Sequence, residues 1–508
     1  MPDVGADDAA RKHIRGSSLL FVGRLISVVA NMVVQVLLVR YLGRTDFGAF
    51  AYALSVVSLV QLAITLGMDR AVPRFLAMYD ERSDHPKLLG TVLLSIGSIL
   101  ALGVVVVALA QAIGIRLLGQ GQVEAAALLS ILIFLAPIRA LEEVQLGILA
   151  TFAKPRAIFL RRNVLAPVLN LVVVGLLVLR DADATFVAVG YVVAAALGLA
   201  LSFSLAASAL ATRGVGHAVR ERSIGWPLGS MLVFALPLLT TDALYVLINS
   251  SDAIFLLNSH GPDAVAAIRA VVPIATLNLL VMTAFTPLYT PLLARLHERG
   301  EDRAVADLYW QTAIWVAVIT FPFLLGVIAL ALPLTVLLFG QGYASSAPLL
   351  VILCVGYYVN AALGFNGLTV RILGRMRTLV LINLAAAGVN IGLNLLLVPP
   401  LGPLGAAIAT TGTLVIHNVG KQLALGRTSV GAMRSRERRL YGTLVVAALA
   451  TFVVSSVTGQ DLIGWSVSAG VAAVAGLAVW VTARPYLRIA SVFPEVRRLP
   501  FARVLFSA

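Results

Sequence analysis

Charge is scarce in this chain: only 12% of its 508 residues are Asp, Glu, Lys or Arg, and just 24 are acidic. A soluble domain carries about a quarter charged residues, so an ordinary water-facing surface is excluded. The single cysteine, Cys354, rules out a disulfide within the chain and argues against a thiol-based cofactor site. Six histidines, His13, His85, His217, His260, His297 and His417, are scattered through termini, gaps and run ends with no His-Glu-x-x-His spacing, so a metal site is not expected. No Gly-rich loop ends in Gly-Lys-Ser/Thr, and no gap between apolar runs is long enough for a catalytic domain outside a membrane. Enzyme chemistry has nothing to stand on.

What the chain does have is hydrocarbon, at 60% hydrophobic residues. A bilayer core about 30 Å thick needs roughly 20 helical residues to cross, whereas barrel strands would alternate polar and apolar residues. Fourteen apolar runs meet the helical length: 17–39, 47–68, 88–111, 124–147, 160–179, 185–210, 229–250, 266–291, 306–330, 347–370, 378–398, 403–425, 440–458 and 462–483. The predicted fold class is therefore all-α, a polytopic membrane protein. The first run carries Arg24, Asn31 and Gln35 and lacks a small-residue cleavage site, so it reads as a retained helix.

The formal charge of +14 is explained by its placement. Assigning alternate gaps to one side puts 31 of the 38 basic residues there, including Arg70, Arg74, Arg161, Arg371, Arg375 and the stretch Lys421 to Arg439. By the positive-inside rule that side is cytoplasmic, with both termini inside and the chain in the cell membrane. The excess charge is thus topology, and a nucleic-acid partner is excluded.

The chain also aligns with itself. One constant shift pairs Asp46 with Asp263 and Glu81 with Glu298, and a slightly longer one pairs Asn163 with Asn383 and Asn170 with Asn390. Such a repeat fits two six-helix lobes, residues 1–213 and 214–427, followed by two more helices and a tail over 428–508. Six is even, so the repeats share an orientation, an arrangement that recurs in transporters with the substrate between the halves.

The segment LVRYLGRTDFGAFAYALSVVSLVQLAITLGMDRAVPRFLA, Leu38 to Ala77, resembles the opening signature of polysaccharide-export flippases, where a first external loop reads Leu-Gly, a few residues, then Phe-Gly. A later stretch beginning LFGQGYASSAPLLVIL and continuing through LGRMRTLVLINLAAAGVNIGLNLLLVPPLGPLGAAIATT, within Leu338 to Thr411, is similar to the same family's second signature. These are the Wzx-type oligosaccharide flippases, relatives of the lipid II flippases and the multidrug MATE exporters. The resemblance covers nearly the whole chain and implies translocation of a polyprenyl-diphosphate-linked oligosaccharide. The expected partners are that lipid-linked glycan, membrane lipids, a glycan polymerase and glycosyltransferases. It implies no cofactor beyond a coupling ion, Na+ or H+.

Ionisable groups inside apolar runs cost about 2.5 to 3.5 kcal/mol each on the insertion scale, so they point to partners or to water. Arg24, Arg139 and Arg269 lie within runs 1, 4 and 8. A guanidinium keeps its proton and binds phosphate oxygens in a planar fork, which suits a diphosphate. The lipid II flippases carry cavity arginines on helices 1 and 8, so the resemblance implies substrate roles for Arg24 and Arg269. Against this, Arg24 can snorkel, and Glu142 and Glu143 are spaced to pair with Arg139 on its own helix. Asp46 reads either as an external gate residue, as the resemblance implies, or as a helix N-cap. Asp252 in LINSSDAIFLL recurs as an acid in Wzx-type sequences and otherwise reads as a capping residue.

Asn383, Asn390 and Asn394 share one face of run 11 by their spacing. Sodium takes hard oxygen ligands. The lipid II flippases use an acid on helix 7, two polar residues on helix 11, and helix 12, and the resemblance carries these onto Asp242, Asn390, Asn394, the carbonyl of Ala406 and Thr410. The competing reading is interhelical hydrogen bonding, worth about 0.6 to 2 kcal/mol per residue. Prolines within runs, such as Pro137, Pro237 and Pro322, allow kinks. Three other functions stand beside the flippase: a MATE-like exporter, which would want cavity carboxylates for organic cations; a membrane polymerase or ligase, which would want a large external loop; and a scaffold.

Overall fold

A computed structural model of the chain describes residues 4–118, 123–152, 159–211, 224–428 and 430–487. Lys154, Arg156, Arg213, Arg220, Arg222 and everything beyond 487 lie outside the described residues, as do the side chains of Arg11, Lys12, Arg15 and Arg162. Thirteen of the described helical stretches are long and apolar enough to cross a membrane. The remaining expected run coincides with the helix Pro403–Gly426, whose apolar pattern is diluted by His417, Asn418 and Lys421. Leu179, Val233, Leu396 and Val457 all stand exposed, the outward apolar surface of a protein solvated by lipid.

Packing divides the chain into two compact units, Met1–Ala270 and Val271–Ala508, a later cut than the repeat-based boundary after residue 213. The first unit contains α1 (Val4–Tyr41), α2 (Arg44–Thr65), α3 (Met68–Glu81), α4 (His85–Leu118), α5 (Val123–Leu132), α6 (Leu135–Thr151), a π-helix (Phe159–Leu165), α7 (Ala166–Arg180), α8 (Ala184–Ala211), α9 (Leu228–His260) and most of α10 (Pro262–Ala275). Helix α9 belongs here because it packs against α2 and α3.

Two local sequences bend this unit. The second run does not end near residue 68 as hydropathy predicts: Leu66 and Gly67 adopt φ of 49° and 72°, and the helix restarts as α3. Two successive left-handed residues cannot continue a right-handed helix, and a leucine there is strained. A Cβ on Gly67 would sit 3.1 Å from the Ala235 carbonyl oxygen, so glycine lets the break press against α9. The π-helix immediately precedes α7, whose first turn holds Pro167; a residue without an N–H is relieved by one widened turn upstream.

The second unit contains α11 (Asn278–Glu298), α12 (Asp302–Phe339), α13 (Ala347–Ala362), α14 (Asn366–Ile372), α15 (Met376–Leu401), α16 (Pro403–Gly426), α17 (Ser435–Val457) and α18 (Leu462–Leu487). The eighth expected run is broken too, into α10 and α11. Helix α12 kinks at Leu330, three residues before Pro333, whose ring would clash with the carbonyl one turn back. Buried aromatics anchor one core: Tyr289 and Phe365 stack with centroids 4.6 Å apart, and the indole of Trp310 donates to Val430 O at 3.1 Å. Each buried polar tip on these rings finds an acceptor, as burial demands.

Candidate functional site

In the first unit three intramembrane acids, Glu142, Asp242 and Asp252, meet arginines. Arg161 was counted by sequence among the loop cations, yet it is fully buried in the π-helix. Its Nη2 lies 2.5 Å from Glu142 Oε1, and its Nε donates to Gly198 O at 2.8 Å and to Ser202 Oγ at 3.0 Å. Gly198 is glycine because the guanidinium occupies the space a Cβ would fill. This corrects the expected pairing within α6: Glu142 serves Arg161, and among the described residues Arg139 makes no ion pair. Arg139 stays half-buried on α6 with Tyr191 and Glu142 as its nearest electrostatic neighbours.

Arg269 is corrected as well. The resemblance implied a substrate role for it, and its guanidinium is held by the Asp252 carboxylate and donates to Asn249 O. Asp252 therefore caps nothing; α9 runs on to His260 and the acid is a buried counter-ion, only 3% exposed. Breaking such a sealed pair from one side costs about 3–5 kcal/mol, because the other charge is left bare. Arg24 lies on an exposed stretch of α1, beside Gly23, which nests against Phe159 and Asn163 of the π-helix.

At the start of α2 the N-cap is Gly43, so Asp46 is not the cap; it stands in the first turn with Glu124 of α5 as an electrostatic neighbour. Thr45 Oγ1 donates to Asp263 Oδ1 at 2.8 Å and Arg44 Nε to Asp263 O at 3.4 Å. Gly48, the glycine of the Phe-Gly signature, abuts the Pro262 carbonyl so closely that no Cβ fits. The signature thus encodes a close approach of two helix starts.

Asp242 stands at the middle of α9, where it was expected to await a sodium ion. Instead Arg70 of α3, another residue assigned by sequence to a loop, donates to it twice, Nε to Oδ2 at 3.1 Å and Nη2 to Oδ1 at 3.0 Å. Asp69 approaches Arg70 at 3.4 Å, and Arg74 lies over the Phe234 ring at 4.2 Å. A pair this solvated is worth about 0.2–1 kcal/mol.

The second unit holds the asparagine face. Asn383, Asn390 and Asn394 are all buried along the α15–α16 seam. Asn383 Oδ1 meets His417 Nε2 at 3.0 Å, Asn390 Nδ2 donates to Thr413 Oγ1 at 3.2 Å, and Asn394 Nδ2 donates to Asn390 O at 2.9 Å. The antiparallel register set by these bonds brings Asn394 level with Thr410, with Ala406 one turn beyond. Asn394 Oδ1 and Thr410 Oγ1 are buried with no hydrogen-bond partner among the described residues, which suits a small cation seeking oxygen ligands. No Asp or Glu occurs between Asp307 and Glu437, so this seam supplies no carboxylate of its own. Lys421, a third residue assigned to a loop, is buried in α16.

A family model described as polysaccharide biosynthesis protein matches residues 13–297. No curated protein matches the sequence. Among solved structures, the lipid II flippase MurJ in an inward closed conformation superposes with a TM-score of 0.70 at 14% identity, over 94% of this chain and 100% of that one. An inward-facing multidrug resistance MATE transporter of the MOP superfamily gives 0.65 at 17% identity, covering 80% and 98% of the two chains. The outward-facing form of such a transporter gives 0.53 at 16%, covering 82% and 96%. Identities this low establish a shared fold and nothing finer. Since the family match spans more than half of a multi-pass helical chain with that fold, this chain belongs to the polysaccharide biosynthesis protein family.

Proposed function

We propose that the protein is a flippase that carries a polyprenyl-diphosphate-linked oligosaccharide from the cytoplasmic to the outer leaflet of the cell membrane by alternating access, with both termini cytoplasmic. The observation that carries this reading is the charge pattern inside the first unit. Its acids Glu142, Asp252 and Asp242 are each engaged by an arginine, while Arg139 makes no ion pair among the described residues. A guanidinium in that position is satisfied by an incoming anion, and a diphosphate offers the matching oxygens. A MATE-like exporter of organic cations would need carboxylates to spare; Glu142, Asp252 and Asp242 are committed, and Glu143 of α6 is the acid left without an ion pair among the described residues.

Arg24 and Arg139 are the substrate residues in this reading, with Arg269 held by Asp252 and Asp46 at the external gate. In the second unit a groove of about 480 Å³, lined by Leu324, Val355, Tyr358, Leu444 and Phe452 with almost no polar surface, is suited to part of a polyprenyl tail. Sodium coupling is supported by the two unsatisfied oxygens of Asn394 and Thr410, with Asn390 and the Ala406 carbonyl beside them.

The direct test is reconstitution. Proteoliposomes loaded on one side with a fluorescent lipid-linked oligosaccharide should equilibrate it across the bilayer, and Arg139→Ala should not. Movement of a fluorescent organic cation in place of the glycan lipid would replace this reading with the exporter.

A further inference from the structure

Three arginines of the first unit are paired with carboxylates, Arg70 with Asp69 as well as Asp242, and exposure separates them. The side chains of Arg161 and Glu142 are 2% and 17% exposed, and those of Arg269 and Asp252 are 12% and 4%. Arg70 and Asp242 are 55% and 30% exposed. A sealed pair cannot change partners without leaving a bare charge in a low-dielectric site, whereas a solvated pair can. Of the three, Arg70 is the one able to pass its fork to another oxyanion.

The backbone puts it there deliberately. The left-handed residues Leu66 and Gly67 break the second transmembrane run so that α3 restarts against α9, and strain in a leucine is retained only where the surroundings impose it. Arg74 lies four residues on, on the same helical face as Arg70. The two oxygens of Asp242 take the guanidinium edge that two oxygens of a phosphate would take.

We propose that Arg70 is an anion-binding residue of the transport cycle and that Asp242 is its resident placeholder, displaced by phosphate oxygens of the cargo. This rests on the reading of the cargo as a diphosphate-linked lipid. Asp69, Asp242 and Glu143 set three carboxylates within electrostatic reach of Arg70. An arriving anion therefore has to displace Asp242, whose two oxygens fill the guanidinium edge, and its withdrawal leaves a bare carboxylate on α9 that draws in a cation. Anion entry and cation demand are joined in one pair of residues.

Titration of the detergent-solubilised full-length protein with inorganic diphosphate tests this. Asp242→Asn should bind about tenfold more tightly than wild type, since the competing carboxylate is gone. Arg70→Ala in the Asp242→Asn background should lose that gain, and Arg70→Lys, which keeps charge without the fork, should retain only part of it. Equal affinity in wild type and a monodisperse Asp242→Asn protein overturns the proposal. If Asp242→Asn does not fold, phenylglyoxal labelling of Arg70 in the wild type, read by peptide mass, replaces it: diphosphate should protect Arg70, and an unprotected Arg70 overturns the proposal. Geranyl diphosphate should compete with inorganic diphosphate; a site that accepts the free ion and refuses the prenyl ester overturns the headgroup assignment. If Arg70 binds both but no glycan lipid moves in proteoliposomes, the flippase reading fails while this one stands. Flipping indifferent to Arg70→Ala overturns this one alone.

Discussion

Arg269 and Asp252 form an ion pair across α10 and α9, shut away from solvent, with Asn249 O as a second acceptor for the guanidinium. It fixes the middle of α10 to α9. Asp252→Ala should destabilise the protein by about 3–5 kcal/mol by stranding the arginine, and replacing both partners by Leu and Met should recover most of that loss. Thermal unfolding in detergent reads both variants, and a double variant no more stable than the single would show that the pair is more than a mutual neutralisation.

Arg139 carries the functional reading, so Arg139→Ala should cut glycan-lipid flipping by at least about tenfold at unchanged membrane abundance, the loss of one charge-assisted contact. Normal flipping by this variant removes Arg139 from the cargo path.

Gly198→Ala should push the Arg161 guanidinium off Glu142 and cost about 1–3 kcal/mol, the usual penalty for overpacking. Gly175→Ala on α7 is the control: nothing lies within 4 Å of its Cβ position, and alanine there should be neutral or stabilising by up to about 1 kcal/mol. Equal melting temperatures for the two would contradict the packing described here.

Closure at the start of α2 is testable by cross-linking. With Cys354 replaced by alanine, Thr45→Cys and Asp263→Cys should form a disulfide, since their side chains meet at 2.8 Å. Oxidation should stop transport and reduction should restore it. Transport that continues in the oxidised protein would remove this contact from the gating cycle.

For the ion seam, wild-type protein should unfold at a higher temperature in sodium than in choline, by the linkage of a ligand that binds only the folded state. Thr410→Val removes one of the unsatisfied oxygens and should abolish the difference while costing little stability in choline. A sodium shift that persists in this variant places the ion elsewhere.

The helices were legible because a bilayer imposes one length and one composition on every crossing segment. The breaks were not: at Leu66 hydropathy simply falls off, and whether the chain turns into a loop or restarts as α3 depends on Gly67 finding room against Ala235. Arg70 was consequently assigned to a loop, and Arg161, at the very start of run 160–179, was counted with the flanking cations. The signal that could have recovered them was on the other side of each pair, since Asp242 and Glu142 are acids within apolar runs and demand partners. The asparagine face was readable from spacing alone, because a helix puts such residues on one side whatever it packs against.

By itself, then, the sequence determined that this chain is a bundle of membrane helices, which residues in it are ionisable, and which polar groups share a helix face, since these follow from hydrocarbon thickness and a 3.6-residue turn. Only the tertiary structure decided which carboxylate neutralises which guanidinium. Glu142 chose Arg161 over Arg139, Asp252 took Arg269 and Asp242 took Arg70, because ion pairing depends on distances set by helix packing and backbone breaks between segments far apart in the chain.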